Sequence, residues 1–287
     1  MPVELSQITE GDLPRVAEYL HRNFPQESTG SAAAWERALH APWPGEQPNH
    51  GFMATLDGEV VGVYLAHYSE QEVRDHRERF CNLGVWHVLP EHRMHSVRLL
   101  KAIVEQDGYH VTDLTPAEEV VALNARLGFR RLDSRGFVAP CLPWPFVPGR
   151  ASVTSDPARL ERALRGGSLA VYRDHAGAPG LRHVAIVDAT QSCYVALRPD
   201  RHGRLPVLTV LHASEPELLR RNAGRFARHL LLRHRVPAYV AEERVVGFRP
   251  RLSRALRSPQ TRMFRSERLH DEDIGYLYSE MVCLSDE

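Results

Sequence analysis

Apolar and polar positions alternate with period two over residues 3–8, which predicts a strand. The rhythm then changes. Leu13, Val16, Ala17 and Leu20 recur at helical spacing behind Asp12, a residue type suited to capping a helix. A second helical stretch covers 32–39 and stops before the turn-rich APWPGEQPN. GFMATL and EVVGVYLAHY follow, separated by Asp57-Gly58, a strong hairpin signal between two apolar runs. A strand is predicted over 82–89, ending at Pro90, then a helix over 97–104 and a strand over 110–114. Pro116 starts a helix over 117–127, which closes on Gly128 and leads into a strand from Phe129.

APCLPWPFVPG, residues 139–149, holds four prolines and predicts no regular element. It reads as the boundary between two halves, with Trp144 and Phe146 packing it down. Beyond it, Asp156-Pro157 opens a helix through Leu160 and Leu164. Strands are predicted over 184–188, 193–197 and 205–211, a long helix over 216–234, a strand over 238–241 and a last strand over 276–284. The two halves thus run through similar orders of elements, which points to tandem related domains, although no residue-level repeat is visible.

Length and composition fit this picture. The 287 residues suffice for two ordinary domains, and 43% hydrophobic with 25% charged residues is a soluble composition. No apolar run is long enough for a transmembrane helix and no signal peptide is visible, so no membrane role and a cytoplasmic location are expected. Cys81, Cys141, Cys193 and Cys283 are scattered, as expected for reduced thiols. Lys101 is the only lysine, the mark of a GC-rich bacterial genome. Net charge is zero, yet residues 220–268 hold 14 Arg against Glu242, Glu243 and Glu267, a local +11. That block is either the solvated side of Arg-rich helices or a surface for an anionic partner, such as a carrier protein or tRNA.

Two motifs carry a resemblance. VLPEHRMHSVRLLKAI, residues 88–103, matches a strand ending Val-x-Pro-Glu-x-Arg, followed by a turn and a helix, through Val88, Pro90, Glu91 and Arg93. ALNARLGFRRL, residues 122–132, matches a helix ending ahead of Gly-Phe and a closing strand, through Leu123, Leu127, Gly128 and Phe129. In both respects the first half resembles the GNAT superfamily of acyl-CoA N-acyltransferases. The fold this implies is α/β, with two GNAT-like mixed-sheet domains in tandem: 1–138, a Pro-rich connection at 139–150, and a degenerate domain at 151–287.

The resemblance places the CoA pyrophosphate on Arg93, Met94, His95, Ser96, Val97 and Arg98, at a helix start where free amides and the dipole favour anions. Val88 and its neighbours would offer backbone to the pantetheine. The family's glycines are absent from this turn, so its shape must differ. Asn124 stands where the family often has a tyrosine that protonates the leaving thiolate; an amide can orient a group but cannot be a general acid. His87 on the strand, with Glu78 before it, is a candidate base, against the alternative of a packed histidine. Trp86 either walls the acceptor pocket or joins the core. His87, His92 and His95 match no metal-ligand spacing, so no metal is expected. In the second half, Glu215 and Glu217 sit at the corresponding helix start and repel phosphate.

The expected activity is transfer of an acyl group, acetyl or longer, from CoA to a small-molecule amine. The alternatives are a tRNA- or carrier-protein-dependent transferase of the same fold, or a non-catalytic binding protein. A homodimer is compatible with either.

Overall fold

The computed structural model describes residues 2–24, 31–143 and 150–283. Trp144 and Phe146, expected to pack the connection down, lie outside the described residues.

In the first part the chain forms β1 (Glu4–Gln7), α1 (Leu13–Asn23), α2 (Ala32–Leu39), β2 (Gly51–Leu56), β3 (Glu59–Val73), β4 (His76–Val88), α3 (Ser96–Val104), β5 (His110–Asp113), α4 (Glu118–Arg126) and β6 (Arg130–Arg131). Asp12 does not cap α1. Its carboxylate accepts from the Thr9 N–H at 2.8 Å and the Thr9 hydroxyl at 2.6 Å, closing a short 3-10 turn ahead of the helix. The Asp57-Gly58 hairpin forms as expected, both residues having positive φ. A second hairpin, β3 to β4, turns on Arg74 and Asp75, also at positive φ. No glycine marks this turn, and β4 begins earlier than the sequence predicts. Ion pairing of Arg74 with Asp273 at 2.8 Å holds this turn.

The second part forms β7 (Gly136–Pro140), β8 (Ser152–Thr154), α5 (Pro157–Ala163), α6 (Gly166–His175), β9 (Arg182–Val187), β10 (Ser192–His202), β11 (Leu205–Ala213), α7 (Pro216–Arg221), α8 (Ala223–His229), β12 (Ala238–Glu242), α9 (Glu243–Val246) and β13 (Arg254–Ala255). The chain closes with β14 (Met263–Arg265) and α10 (Glu280–Cys283). Three expectations change. The long helix over 216–234 is broken at Asn222 and ends in a π turn, Leu230–His234. Of the strand expected over 276–284, the described residues 276–283 form none; 276–279 lead into α10. The Pro-rich stretch begins inside a strand, because β7 pairs with β12 from Ala238↔Pro140 to Glu242↔Gly136.

The described residues form two mixed seven-stranded sheets, ordered β1-β2-β3-β4-β5-β14-β6 and β8-β9-β10-β11-β12-β7-β13. Read in these directions the two orders correspond strand for strand. β14 enters the first sheet between β5 and β6, and β7 takes the same place in the second between β12 and β13. The compact units are therefore not the two halves of the sequence. The first comprises Met1–Leu132, Thr261–Ile274 and Tyr278–Glu287; the second comprises Asp133–Gln260 and Gly275–Leu277.

In the first unit the sheet carries apolar side chains on both faces. Tyr64, Cys81, Leu83 and Val88 pack with Leu99, Leu100 and Ile103 of α3. Met53, Val63 and Leu65 pack with Leu13, Val16 and Leu20 of α1 and Trp35 and Leu39 of α2. Leu99, Leu100 and Ile103 are wholly buried, so truncating one of them to Ala costs about 2–5 kcal/mol. The second unit repeats the arrangement, with Val195, Leu208, Val210 and Tyr239 against Leu218, Phe226 and Leu230.

Candidate active site

β4 and β5 run parallel and pair only from Phe80↔His110 to Leu83↔Asp113. β4 then continues alone on that side through residues 84–88, while β3 still pairs with its other edge. The first sheet is thus forked, with one edge of β4 unpaired beyond Leu83 among the described residues. A bulge in the β3–β4 register near Leu65 precedes the fork arm. It is accommodated at Gly51 of β2, where φ is +103° and an added Cβ would meet the Tyr64 carbonyl oxygen at 2.1 Å. Beyond the bulge alternation holds: Trp86 stacks on Tyr64 (centroids 4.6 Å, 3°) on the α3 face, and His87 faces α1.

A buried polar cluster fills the point where the strands part. Asn82 of β4 donates to the Thr112 hydroxyl at 2.9 Å, and its carbonyl accepts the Glu280 backbone N–H at 2.8 Å. Asn124 of α4, fully buried, donates to an Asp113 carboxylate oxygen at 2.7 Å. Thr115 donates to Oε1 of Glu280 at 2.9 Å. Three atoms in or beside the cluster have no partner among the described residues: Asn124 Oδ1, Glu280 Oε2 and Trp86 Nε1. Burial raises both carboxyls, Asp113 to about 6 and Glu280 to about 7, the latter helped by the charge of Asp113. Tyr64 is raised by burial, and next by the charges of Asp113, Cys81 and Glu280. The fork therefore holds an acid that titrates near neutrality beside unused hydrogen-bonding atoms, a combination found at catalytic sites.

The other predicted residues fall as follows. His87 is half-buried between the rings of Tyr19 and Phe24, and its Nδ1 is 2.8 Å from the Tyr19 hydroxyl. Burial, and then Arg93, lower its pKa. Glu78 is not at the fork. It lies inside β4, nine residues before His87 and so about 30 Å along the strand. Its Oε2 is held by Arg268 at 2.6 Å and His110 at 3.0 Å. The hydrogen bond from His110, above all, lowers its pKa.

Residues 89–95 connect β4 to α3, and 96–98 form the first turn of α3. Without glycines, Pro90–His95 winds as a 3-10 helix running straight into α3, and the Ser96 N–H donates to the Arg93 carbonyl. Part of the amide set that a glycine-rich turn leaves free is thus consumed. The side chains stay available: Arg93 and Arg98 are exposed, Arg98 Nη1 is 3.0 Å from His95 Nδ1, and Met94 and Val97 project into solvent.

The Arg-rich 220–268 block is divided between the units. In the first unit, Arg262 donates to the Leu114 carbonyl, Arg265 to that of Val104, and Arg268 to Glu78. These arginines serve the fold of the first unit. No group of three or more metal-ligating side chains occurs among the described residues, and no helix there is long and apolar enough to cross a membrane.

No family model matches the sequence, and no curated protein shows significant similarity to it. Solved structures do resemble it. A GCN5-related N-acetyltransferase from Anabaena variabilis superposes with a TM-score of 0.61 at 14% identity, over 92% of this chain and 72% of its own. One from Kribbella flavida gives 0.59 at 17% identity, over 92% and 70%. One from Sphaerobacter thermophilus gives 0.50 at 15% identity, over 96% and 97%. The chain has the GCN5-related N-acetyltransferase fold. The GNAT likeness covers both sheets, in agreement with the tandem reading of the sequence, and at these identities it establishes the fold alone.

Sequence reasoning singled out Asn124, which lies in this cluster, but not Asp113, Asn82 and Glu280, which share it. Asp113 carried a faint signal, an acid at the end of an apolar strand. Glu280 carried none, since 198 residues separate it from Asn82.

Proposed function

We propose that this chain is an acyl-CoA-dependent N-acyltransferase, using acetyl-CoA or another acyl-CoA to acylate the amine of a small molecule at the fork of the first unit. One observation carries the reading: β4 leaves residues 84–88 with an unpaired edge beside a buried carboxyl poised near neutrality. The amides of a pantetheine arm are suited to pair with that edge. The GNAT fold of the neighbours supports the same assignment.

Glu280 acts as general base in this account. Its carboxylate takes a proton from the acceptor ammonium, the free amine attacks the thioester carbonyl, and the carbon–sulfur bond breaks as the amide forms. A base with a pKa near the working pH is the most effective choice. Asn124 positions Asp113 through the 2.7 Å hydrogen bond, and its unused Oδ1 is an acceptor for substrate. The thiolate leaves without a tyrosine acid, taking its proton from water or from the protonated Glu280. Arg93 and Arg98 hold the pyrophosphate through their side chains, as charge-assisted donors replacing the consumed amides. His87, with its pKa lowered, borders the acceptor side through Tyr19 and Phe24.

A second reading rests on the 3-10 turn: with amides consumed and glycines gone, the fold would persist without CoA binding. Calorimetric titration with acetyl-CoA, followed by a thiol-release assay with a panel of small amines, separates the two. Saturable binding and amine-dependent thiol release support the transferase. No heat at millimolar acetyl-CoA supports the non-catalytic protein.

A further inference from the structure

The second unit contains a cavity of about 470 Å³ that the acyl-transfer account does not use. Its volume falls in the usual range for small-molecule sites, about 300–1,000 Å³. Buried Leu160 of α5, Tyr172 of α6 and Leu181 form its apolar wall. Ser155, Arg182, His183, Arg233 and His234 supply the polar one.

The polar wall is organised. The Ser155 hydroxyl bridges two imidazoles, lying 2.8 Å from His229 Nε2 and 3.0 Å from His234 Nε2. A hydroxyl donates once, so one ring accepts from Ser155 and the other donates to it. This fixes the imidazole carried by the π turn. His183 Nδ1 is 2.8 Å from the Tyr194 hydroxyl, while its Nε2 is shielded and has no partner among the described residues.

Charge completes the description. Arg182 and Arg233 are exposed; Arg182 donates to the Pro179 and Leu181 carbonyls, and Arg233 makes no ion pair among the described residues. The charges acting on His183, His229 and His234 come from Arg182, Arg233 and other histidines, while Glu161 and Asp156 act on Tyr172 of the apolar wall. Acids on neighbouring segments are engaged elsewhere: Asp156 caps α5 by accepting the Arg159 N–H, and Glu161 pairs with Arg173 at 2.8 Å. A recess with two exposed guanidinium groups on its rim and an apolar wall suits a ligand that carries a negative charge on an apolar body.

We propose that this cavity binds a small organic anion, a carboxylate or phosphate monoester, whose charged end meets Arg233 and Arg182. Its apolar body lies against Leu160, Tyr172 and Leu181. The site is distinct from the fork and is assayed without CoA.

The test is calorimetry on the full chain with phenyl phosphate, benzoate and neutral benzyl alcohol as probes. At least one anion binds with a dissociation constant of about 1 mM or tighter, and benzyl alcohol binds at least about tenfold more weakly. Arg233→Gln, at an exposed position, weakens anion binding about tenfold. Leu160→Trp fills the apolar wall and abolishes binding, with circular dichroism reporting whether it folds. If Leu160→Trp does not fold, the Arg233→Gln comparison decides alone. Equal binding of benzyl alcohol, no effect of Arg233→Gln, or no anion binding at about 10 mM overturns the proposal.

Discussion

The two sheets share one strand order, and each has a parallel pair that parts, yet the partings are equipped differently. In the first unit β4 runs five residues past its last pair with β5; in the second β11 runs three residues past its last pair with β12. The first arm leads to α3, nine residues long, with Arg93, Ser96 and Arg98 about its start. The second leads to α7, six residues long, with Glu215, Pro216 and Glu217 at its start. Proline has no N–H to offer and the carboxylates occupy the positive end of the dipole. Asp113 and Glu280 stand together at the first fork. At the end of β12 the buried Glu242 is instead satisfied by the Tyr276 hydroxyl. The two units thus share a strand order but not the polar groups at the parting of their strands.

The largest effect expected is on catalysis. Glu280→Gln preserves shape but removes the base, lowering acyl transfer by about 10²–10⁴-fold. The wild-type rate climbs as pH passes through about 7, where Glu280 ionises, and the variant's profile loses that step. A variant that retains both rate and profile shows that the carboxyl is structural.

The charge at the α3 start is the next point to press. Ser96→Asp brings a carboxylate against bound pyrophosphate, and affinity for CoA falls by at least about tenfold. Undiminished binding by calorimetry places the phosphates elsewhere. Asn124→Ala is milder: it removes one hydrogen bond to Asp113, worth about 1 kcal/mol, so the rate falls about tenfold or less. Complete loss of turnover with CoA binding intact makes the amide essential to the chemistry.

A further prediction concerns stability and pH. Glu280 and Asp113 both have folded pKa values above the ordinary carboxyl range, to about 7 and about 6. Between that range and those values the folded state binds more protons than the unfolded one, so stability falls as pH rises. Thermal melts should show Tm declining through this window, and declining less in Glu280→Gln. Identical slopes contradict the assigned shifts. The smallest expected effect is none: Glu215→Gln with Glu217→Gln, in the second unit, should leave CoA stoichiometry unchanged.

Much of the fold was legible because its signals are local. Periodicity gave α2 at its observed bounds, Asp57-Gly58 gave the first hairpin, and Gly128 gave the end of α4. The β3–β4 hairpin was hidden because Arg74 and Asp75 take positive φ without glycine, held by tertiary ion pairing. β14 was hidden because three residues, MFR, give no period, and its place between β5 and β6 is a long-range fact. The same applies to the site. Asn124 could be found through a neighbouring motif, whereas Glu280 is drawn into the fork by contacts with Asn82 and Thr115, far away in sequence.

The central claim is that one fork of the two is the acyl-CoA site. Calorimetry of acetyl-CoA with the wild-type chain and with Ser96→Asp combined with Arg98→Gln tests it most directly. The account predicts one site per chain in the wild type and its loss in the double variant, with the fold unchanged by circular dichroism. A stoichiometry of two, or one site undisturbed by the double variant, would contradict it.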